Sequence, residues 1–194
     1  MTRAIFILIL LFILGGFYFI YHTNQTADRE ASQSLTESTS LANWNMYTAP
    51  SGRFRVFFPN MPQNASSTVV DKATQNPKHF ATYASASPEG GAFMVNIITF
   101  KPDQSMKDPK AIATRQVMEM VEAREGNKLI SLNEGEYKGQ AAFDFEIDNG
   151  NMNILGKAFI RDQKLYILTM TSPDKQTDPE KFAFFVNSFE PLNP

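Results

Sequence analysis

The chain has 194 residues, with 18 Lys and Arg against 20 Asp and Glu and no cysteine. That near-balance of charge gives no basic footprint for nucleic acid and no acidic tail; the missing cysteine excludes disulfides, thiolate metal sites, a cysteine nucleophile and a lipid-bearing N-terminal Cys. Seventeen Phe beside six Tyr and one Trp can build a substantial core, and the length suits one domain plus an extension.

Residues 4–21 carry no charge, and thirteen of them are Ile, Leu or Phe. As a helix the run spans roughly 27 Å, close to the ~30 Å hydrocarbon core, and its apolar residues gain on the order of 4–8 kcal/mol on insertion. It has no polar face to turn to water. Residues 1–22 are therefore expected to form one transmembrane signal-anchor helix, with Ile5, Leu8, Leu11, Phe12 and Phe17 in the apolar run. Tyr18, with Tyr21 and His22, sits where an interfacial belt belongs. A cleaved signal peptide is the competing reading; it calls for a shorter apolar core followed by a small-x-small site. Arg3 precedes the span, whereas Arg29 beyond it lies between Asp28 and Glu30. The positive-inside bias then leaves the N-terminus in the cytoplasm and the rest of the chain extracytoplasmic, which is the periplasm in a Gram-negative bacterium.

Residues 23–42 are rich in Ser and Thr, with two Leu and no aromatic. They cannot bury enough surface to offset the entropy of ordering. The expectation is a flexible tether with an r.m.s. reach of roughly 25 Å, which keeps the domain near the bilayer.

Residues 43–194 read as one α+β domain. A short strand over 44–49 is followed by the turn Pro50-Ser51-Gly52. Phe54, Val56 and Phe58 then alternate onto one face of a strand ended by Pro59 and Pro62. Weaker strand patterns over 65–71 and 79–87 are separated by Gln75-Asn76-Pro77. After Glu89-Gly90-Gly91, residues 92–101 set Phe93, Val95 and Ile97 opposite Met94, Ile98 and Phe100. A strand apolar on both faces belongs in a sheet interior. Asp108-Pro109 pairs an Asp N-cap with Pro at the first helical position; the helix it opens has an apolar stripe of Ala113, Val117, Met120 and Val121 and stops at Gly126.

Strands follow over 128–137 and 140–148, joined at Lys138-Gly139. Asn149-Gly150, a type I′ hairpin signal, leads to a strand over 151–161, and Asp162-Gln163 to one over 164–172. Asp178-Pro179 caps a closing helix in which Phe182, Phe185, Val186 and Phe189 recur at helical spacing. Five strands, a helix, four strands and a helix, with hairpin links, predict an antiparallel β-sheet with flanking helices.

Signals for chemistry are sparse. The two histidines, His22 and His79, have no evident partners for a catalytic triad or a metal cluster. Asp144, Glu146 and Asp148 project from one strand face. A cation site and a solvated face opposite Phe143, Phe145 and Ile147 both fit; Lys157 and Arg161 on the next strand favour the second by cross-strand pairing. Residues 148–153 look like a calcium loop, but Gly falls at the third position and no Glu closes it. No glycine-rich phosphate loop is present. Trp44, Tyr47, Phe57, Phe80 and Tyr83 suit a core or the rim of a groove. The expectation is a non-enzymatic chain with no cofactor and no metal. Met94, Ile98 and Phe100 are the candidate binding face, on the side of the sheet that the helices leave uncovered.

Phe54-Arg55-Val56-Phe57-Phe58-Pro59-Asn60-Met61-Pro62 resembles the Phe-x-Val-x-Phe-Pro-x-x-Pro opening of bacterial domains of the PsbP-like class. Leu165-Tyr166-Ile167-Leu168 and Phe184-Phe185-Val186-Asn187-Ser188-Phe189 are similar to that class as well. It includes the photosystem II extrinsic subunit, a yeast Ran-binding import factor and periplasmic lipoproteins of the DcrB type. The resemblance covers about residues 44–191 and implies an α/β/α sandwich around an antiparallel sheet. It implies no catalytic residue, since such relatives serve as binding or assembly proteins. Where the lipoproteins carry a lipidated Cys, this chain has its apolar segment. The functional expectation is a membrane-anchored, extracytoplasmic binding or assembly module, with a protein or other envelope component as partner and no nucleic acid. A small-ligand carrier with an apolar groove is the alternative, and an enzyme without a recognisable motif the more distant one.

Overall fold

The structure, a computed structural model, describes residues 41–50, 53–70, 76–88, 90–102, 105–173 and 177–192. The expected anchor, with Ile5, Leu8, Leu11, Phe12, Phe17 and Tyr18, and all but the end of the expected tether lie outside these residues. Among the described residues no helix is long and apolar enough to cross a membrane.

A 3-10 turn at Leu41–Asn43 leads into β1 (Asn45–Thr48) and β2 (Phe54–Phe58). Three longer strands follow, β3 (Gln63–Val70), β4 (Pro77–Ala86) and β5 (Ala92–Thr99), then α1 (Pro109–Glu122). The second half holds β6 (Lys128–Tyr137), β7 (Gln140–Asp148), β8 (Met152–Arg161), β9 (Lys164–Pro173), α2 (Pro179–Ser188) and β10 (Glu190–Pro191). Seven strands form one antiparallel sheet in the order β3-β4-β5-β9-β8-β7-β6. β1, β2 and β10 form a separate small sheet. The doubly apolar strand β5 is interior, paired with β4 and, across the two halves of the chain, with β9 from Ala92 opposite Thr171 to Thr99 opposite Lys164.

Turn chemistry sets the hairpins. Lys138-Gly139 and Asp162-Gln163 both have positive φ at their two central residues, as a type I′ turn demands. The β7–β8 turn lies one residue later than the Asn-Gly signal suggests. Asp148 pairs with Asn153, and the Asn149 amide donates to the Met152 carbonyl at 2.9 Å. The turn residues are thus Gly150 and Asn151, with positive φ at Gly150 and the Asn151 amide donating to the Asn149 carbonyl at 2.8 Å, a tight bend that favours glycine. Gly91, with φ of +81°, lies so close to β9 that a Cβ there would stand 2.1 Å from the Thr171 carbonyl oxygen.

Both Asp-Pro helix starts are capped as expected: Asp108 Oδ1 accepts from the Ala111 amide and Asp178 Oδ1 from the Lys181 amide, each at 2.9 Å. α1 ends at Glu122, short of Gly126. The two faces of the large sheet hold separate cores. On one, α2 and the small sheet pack through Trp44, Phe54, Val56, Phe58, Phe185 and Phe189 onto Phe93, Phe159 and Leu168. On the other, α1 packs through Ile112, Ala113 and Val117 onto Phe143, Phe145, Ile147 and Ile167. Ring contacts knit the first core, among them Trp44 against Phe93 with centroids 4.7 Å apart and Tyr137 stacked on Phe159 at 4.2 Å. The result is a helix-covered face on each side of an antiparallel sheet.

Candidate functional site: a groove beside α1

α1 packs over β6, β7 and β8. The rest of that sheet face, where β3, β4, β5 and β9 turn their alternate residues, has a hollow along the helix flank. It forms a groove of about 180 Å³. The apolar floor is made by Phe80, Met94, Ile98, Ile154 and Ile167, with Met120 contributed by the helix. Strand alternation places them: Met94, Asn96 and Ile98 face the groove, while Phe93, Val95 and Ile97 enter the opposite core.

Polar groups interrupt this surface. Thr82 Oγ1 donates to Asn96 Oδ1 at 2.7 Å, and Asn127 Nδ2 to the Met120 carbonyl at 3.0 Å. Three others have no hydrogen-bond partner among the described residues: Ser67 Oγ on β3, Gln116 Nε2 on α1 and Thr169 Oγ1 on β9. Gln116 is 3% exposed and Thr169 fully buried. A buried polar atom left unpaired costs about 1–3 kcal/mol. Thr169 lies opposite Met94 on one side and Gly156 on the other. Arg124, just beyond α1, is the charged residue among those that line the groove.

The three residues of the candidate face occupy two different places. Met94 and Ile98 line the groove, but Phe100 does not. Phe100 follows the end of β5, is 4% exposed and belongs to the α1-side core. Its amide donates to the Gln163 carbonyl at 3.0 Å, which fixes it under the β8–β9 turn. Of the five aromatics considered for a groove, Phe80 lines it, whereas Trp44, Tyr47, Phe57 and Tyr83 pack in or against the opposite core. Gln116 and Thr169 escaped the sequence reading. The signals that mark them are a polar residue between Ala113 and Val117 on a helix stripe, and a Thr within an otherwise apolar strand run.

The acidic strand resolves into ordinary pairing. Asp144 meets Lys157 at 2.8 Å, and Glu146 Oε1 accepts from Asn153 Nδ2 at 2.9 Å. Asp148 Oδ1 accepts from the Gly150 amide at 2.7 Å. Arg161 pairs with Asp162 at 3.3 Å instead. Among the described residues no group of His, Asp and Glu could hold a metal ion. His79 is exposed, its Nδ1 3.2 Å from Thr68 Oγ1 on the neighbouring strand. A second hollow of about 280 Å³ lies among the loops near Trp44, Asn60, Ser87 and Lys181. Its Asn60 is already engaged, through its amide, by Ser85 Oγ at 3.0 Å.

No known family profile matches the chain, and no curated protein matches it in sequence. Among solved structures it is similar to the cyanobacterial PsbP (CyanoP) of Synechocystis, with a TM-score of 0.52 at 16% identity over 82% of this chain and 99% of that one. It is also similar to a Pseudomonas aeruginosa protein of unknown function described as a putative regulator, with a TM-score of 0.41 at 14% identity over 78% of this chain and 99% of that one. A Bacteroides thetaiotaomicron protein matches with a TM-score of 0.39 at 12% identity over 78% of this chain and 49% of that one. The described residues therefore have the α+β, PsbP-like fold that the aromatic-proline motif implied.

Proposed function

We propose that this chain is a membrane-tethered, extracytoplasmic binding module whose ligand lies in the groove beside α1. The observation that carries the reading is an apolar hollow on a sheet face whose lining includes polar residues with buried side-chain atoms that have no partner among the described residues. The tether and its side of the membrane rest on the uncharged run over residues 4–21 and the charge asymmetry around it. Binding is favoured over catalysis because the described residues that line the groove include no carboxylate, His or Lys to act as a general base. Three methionines, Met94, Met120 and Met152, line the groove, whereas Met46 and Met61 are exposed elsewhere. In the full chain, methyl-labelled on methionine and held in lipid nanodiscs, 1-octanol should shift the first three methyl signals and leave the last two in place. Ser67→Trp, on the groove wall, should abolish those shifts. Uniform shifts, or none, would reject the groove.

A second reading, a protein partner, has its own observation. β3 is an edge strand of the seven-stranded sheet, eight residues long, with neither charge nor proline. The opposite edge, β6, carries Lys128, Glu134 and Glu136 and a bulge at Leu129–Ser131. Edges blunted in that way resist strand addition, and β3 has none of these devices. Replacing Ser66 and Thr68 with Lys should remove the cross-linked partner recovered from intact membranes; undiminished recovery would argue against pairing along β3.

A further inference from the structure

The polar part of the groove speaks to the chemistry of its ligand, an inference that rests on the groove being the binding site. Gln116 Nε2 can only donate a hydrogen bond, and the Thr169 hydroxyl can donate one. They come from different walls, helix and sheet, and neither has a partner among the described residues. A ligand oxygen placed between those walls would accept from these donors and offset the cost of burying them. Among the described residues that line the groove, Arg124 is the charged one, exposed where the chain leaves α1. A carboxylate at that mouth gains from Arg124, and the exposed Glu122 and Glu125 beside it set a limit on that gain. Size sets a limit as well. An apolar cavity of about 150 Å³ takes a benzene ring, so a groove of about 180 Å³ takes a body of roughly six to eight carbon atoms.

We propose that the groove binds an apolar monocarboxylate, its hydrocarbon body lying on Met94, Ile98, Met120 and Ile167, its carboxylate meeting Gln116 and Thr169, and Arg124 acting on its charge from the groove mouth. A carboxylic acid with a pKa near that of Glu, about 4.3, is ionised at neutral pH, so one ligand supplies both the acceptor oxygens and the charge. The hydrocarbon body gives affinity by burial and the polar groups give orientation.

The test uses the full chain in lipid nanodiscs and the methionine methyl signals, with octanoate, 1-octanol and octylamine as probes. Octanoate should shift Met94, Met120 and Met152. Arg124→Glu should weaken octanoate about tenfold while leaving 1-octanol within about twofold, because only the first probe carries the charge. Comparing each probe with itself across variants cancels its partition into lipid. Thr169→Val and Gln116→Leu should weaken octanoate several-fold without lowering the thermal midpoint, since an apolar side chain of similar size replaces an unpaired polar one. Equal losses of octanoate and 1-octanol in Arg124→Glu would overturn the carboxylate while leaving the groove as a binding site. So would unchanged octanoate affinity in Thr169→Val, or octylamine binding more tightly than octanoate. If neither octanoate nor 1-octanol moves the three methyl signals, the groove itself falls.

Discussion

Gly156 lies next to Thr169 in the sheet, and the space above it is taken by the ring of Phe145. A Cβ at Gly156 would stand 2.0 Å from Phe145 Cζ and 2.4 Å from both Cε atoms. Phe145 is 3% exposed and locked into the α1-side core, so it has nowhere to swing. Gly156→Ala is expected to cost about 3 kcal/mol by overpacking, read as a lower urea midpoint. Adding Phe145→Leu should recover part of that loss; a single variant as stable as the parent would show that the ring moves freely. In the sequence this glycine is only a weak spot in a strand, since close approach by another residue is a tertiary fact. The same holds for Gln116 and Thr169. Their polarity is visible at positions the periodicity marks as buried, but whether a partner satisfies them depends on strands far apart in the chain. Asp144 and Lys157 were legible because a hairpin fixes their register locally.

Elements bound by local chemistry could be read almost to the residue. β6 and β7 run over the expected residues, and both helices begin at their Asp-Pro caps. The small sheet was not legible. Its third strand, β10, is two residues long and pairs Glu190 with Arg55 and Pro191 with Phe54, more than a hundred residues away. This junction is tied to β6 by Tyr137, whose hydroxyl donates to the Phe189 carbonyl, joined there by Lys138 Nζ at 2.7 Å. Burial, reinforced by the negative charge of Glu190, pushes the Tyr137 phenol well above its usual range, and burial then Asp162 raise Tyr166. The sign follows from linkage. The fold holds a neutral phenol that the unfolded chain ionises near pH 10, so this contribution is fully present below about pH 10 and is lost as pH rises further. Stability should fall by about 1.4 kcal/mol per pH unit for each such tyrosine that remains protonated. Tyr137→Phe should cost about 1 kcal/mol at neutral pH, because Lys138 still satisfies the carbonyl, and should flatten the alkaline slope. Urea unfolding at stepped pH from 7 to about 11.5 measures both effects; an unchanged slope would assign the alkaline loss elsewhere.

At the scale of the whole molecule, the groove is a product of topology. β5 pairs with β9 rather than with its chain neighbour β6, so the helix between them returns over the second half of the sheet. No local pattern encodes that choice, so the sequence marks Met94, Ile98 and Phe100 as one face but not that Met94 and Ile98 line the groove while Phe100, beyond the strand end, is covered in the α1-side core. The proposed placement outside the membrane is testable because the chain has no cysteine, so any introduced thiol is the sole site for a maleimide. Met61 is 80% exposed in the loop between β2 and β3, and Met61→Cys should change stability by less than about 0.5 kcal/mol. An impermeant maleimide added to intact cells should label Met61→Cys, and label Thr2→Cys only after the membrane is opened. With the two positions on opposite sides, the apolar run between them must cross the bilayer. Both thiols labelled in intact cells would place the whole chain outside and point to a secreted or peripheral protein. Labelling of Thr2→Cys alone would invert the orientation. In that case the ligand proposed for the groove would have to come from the cytoplasm.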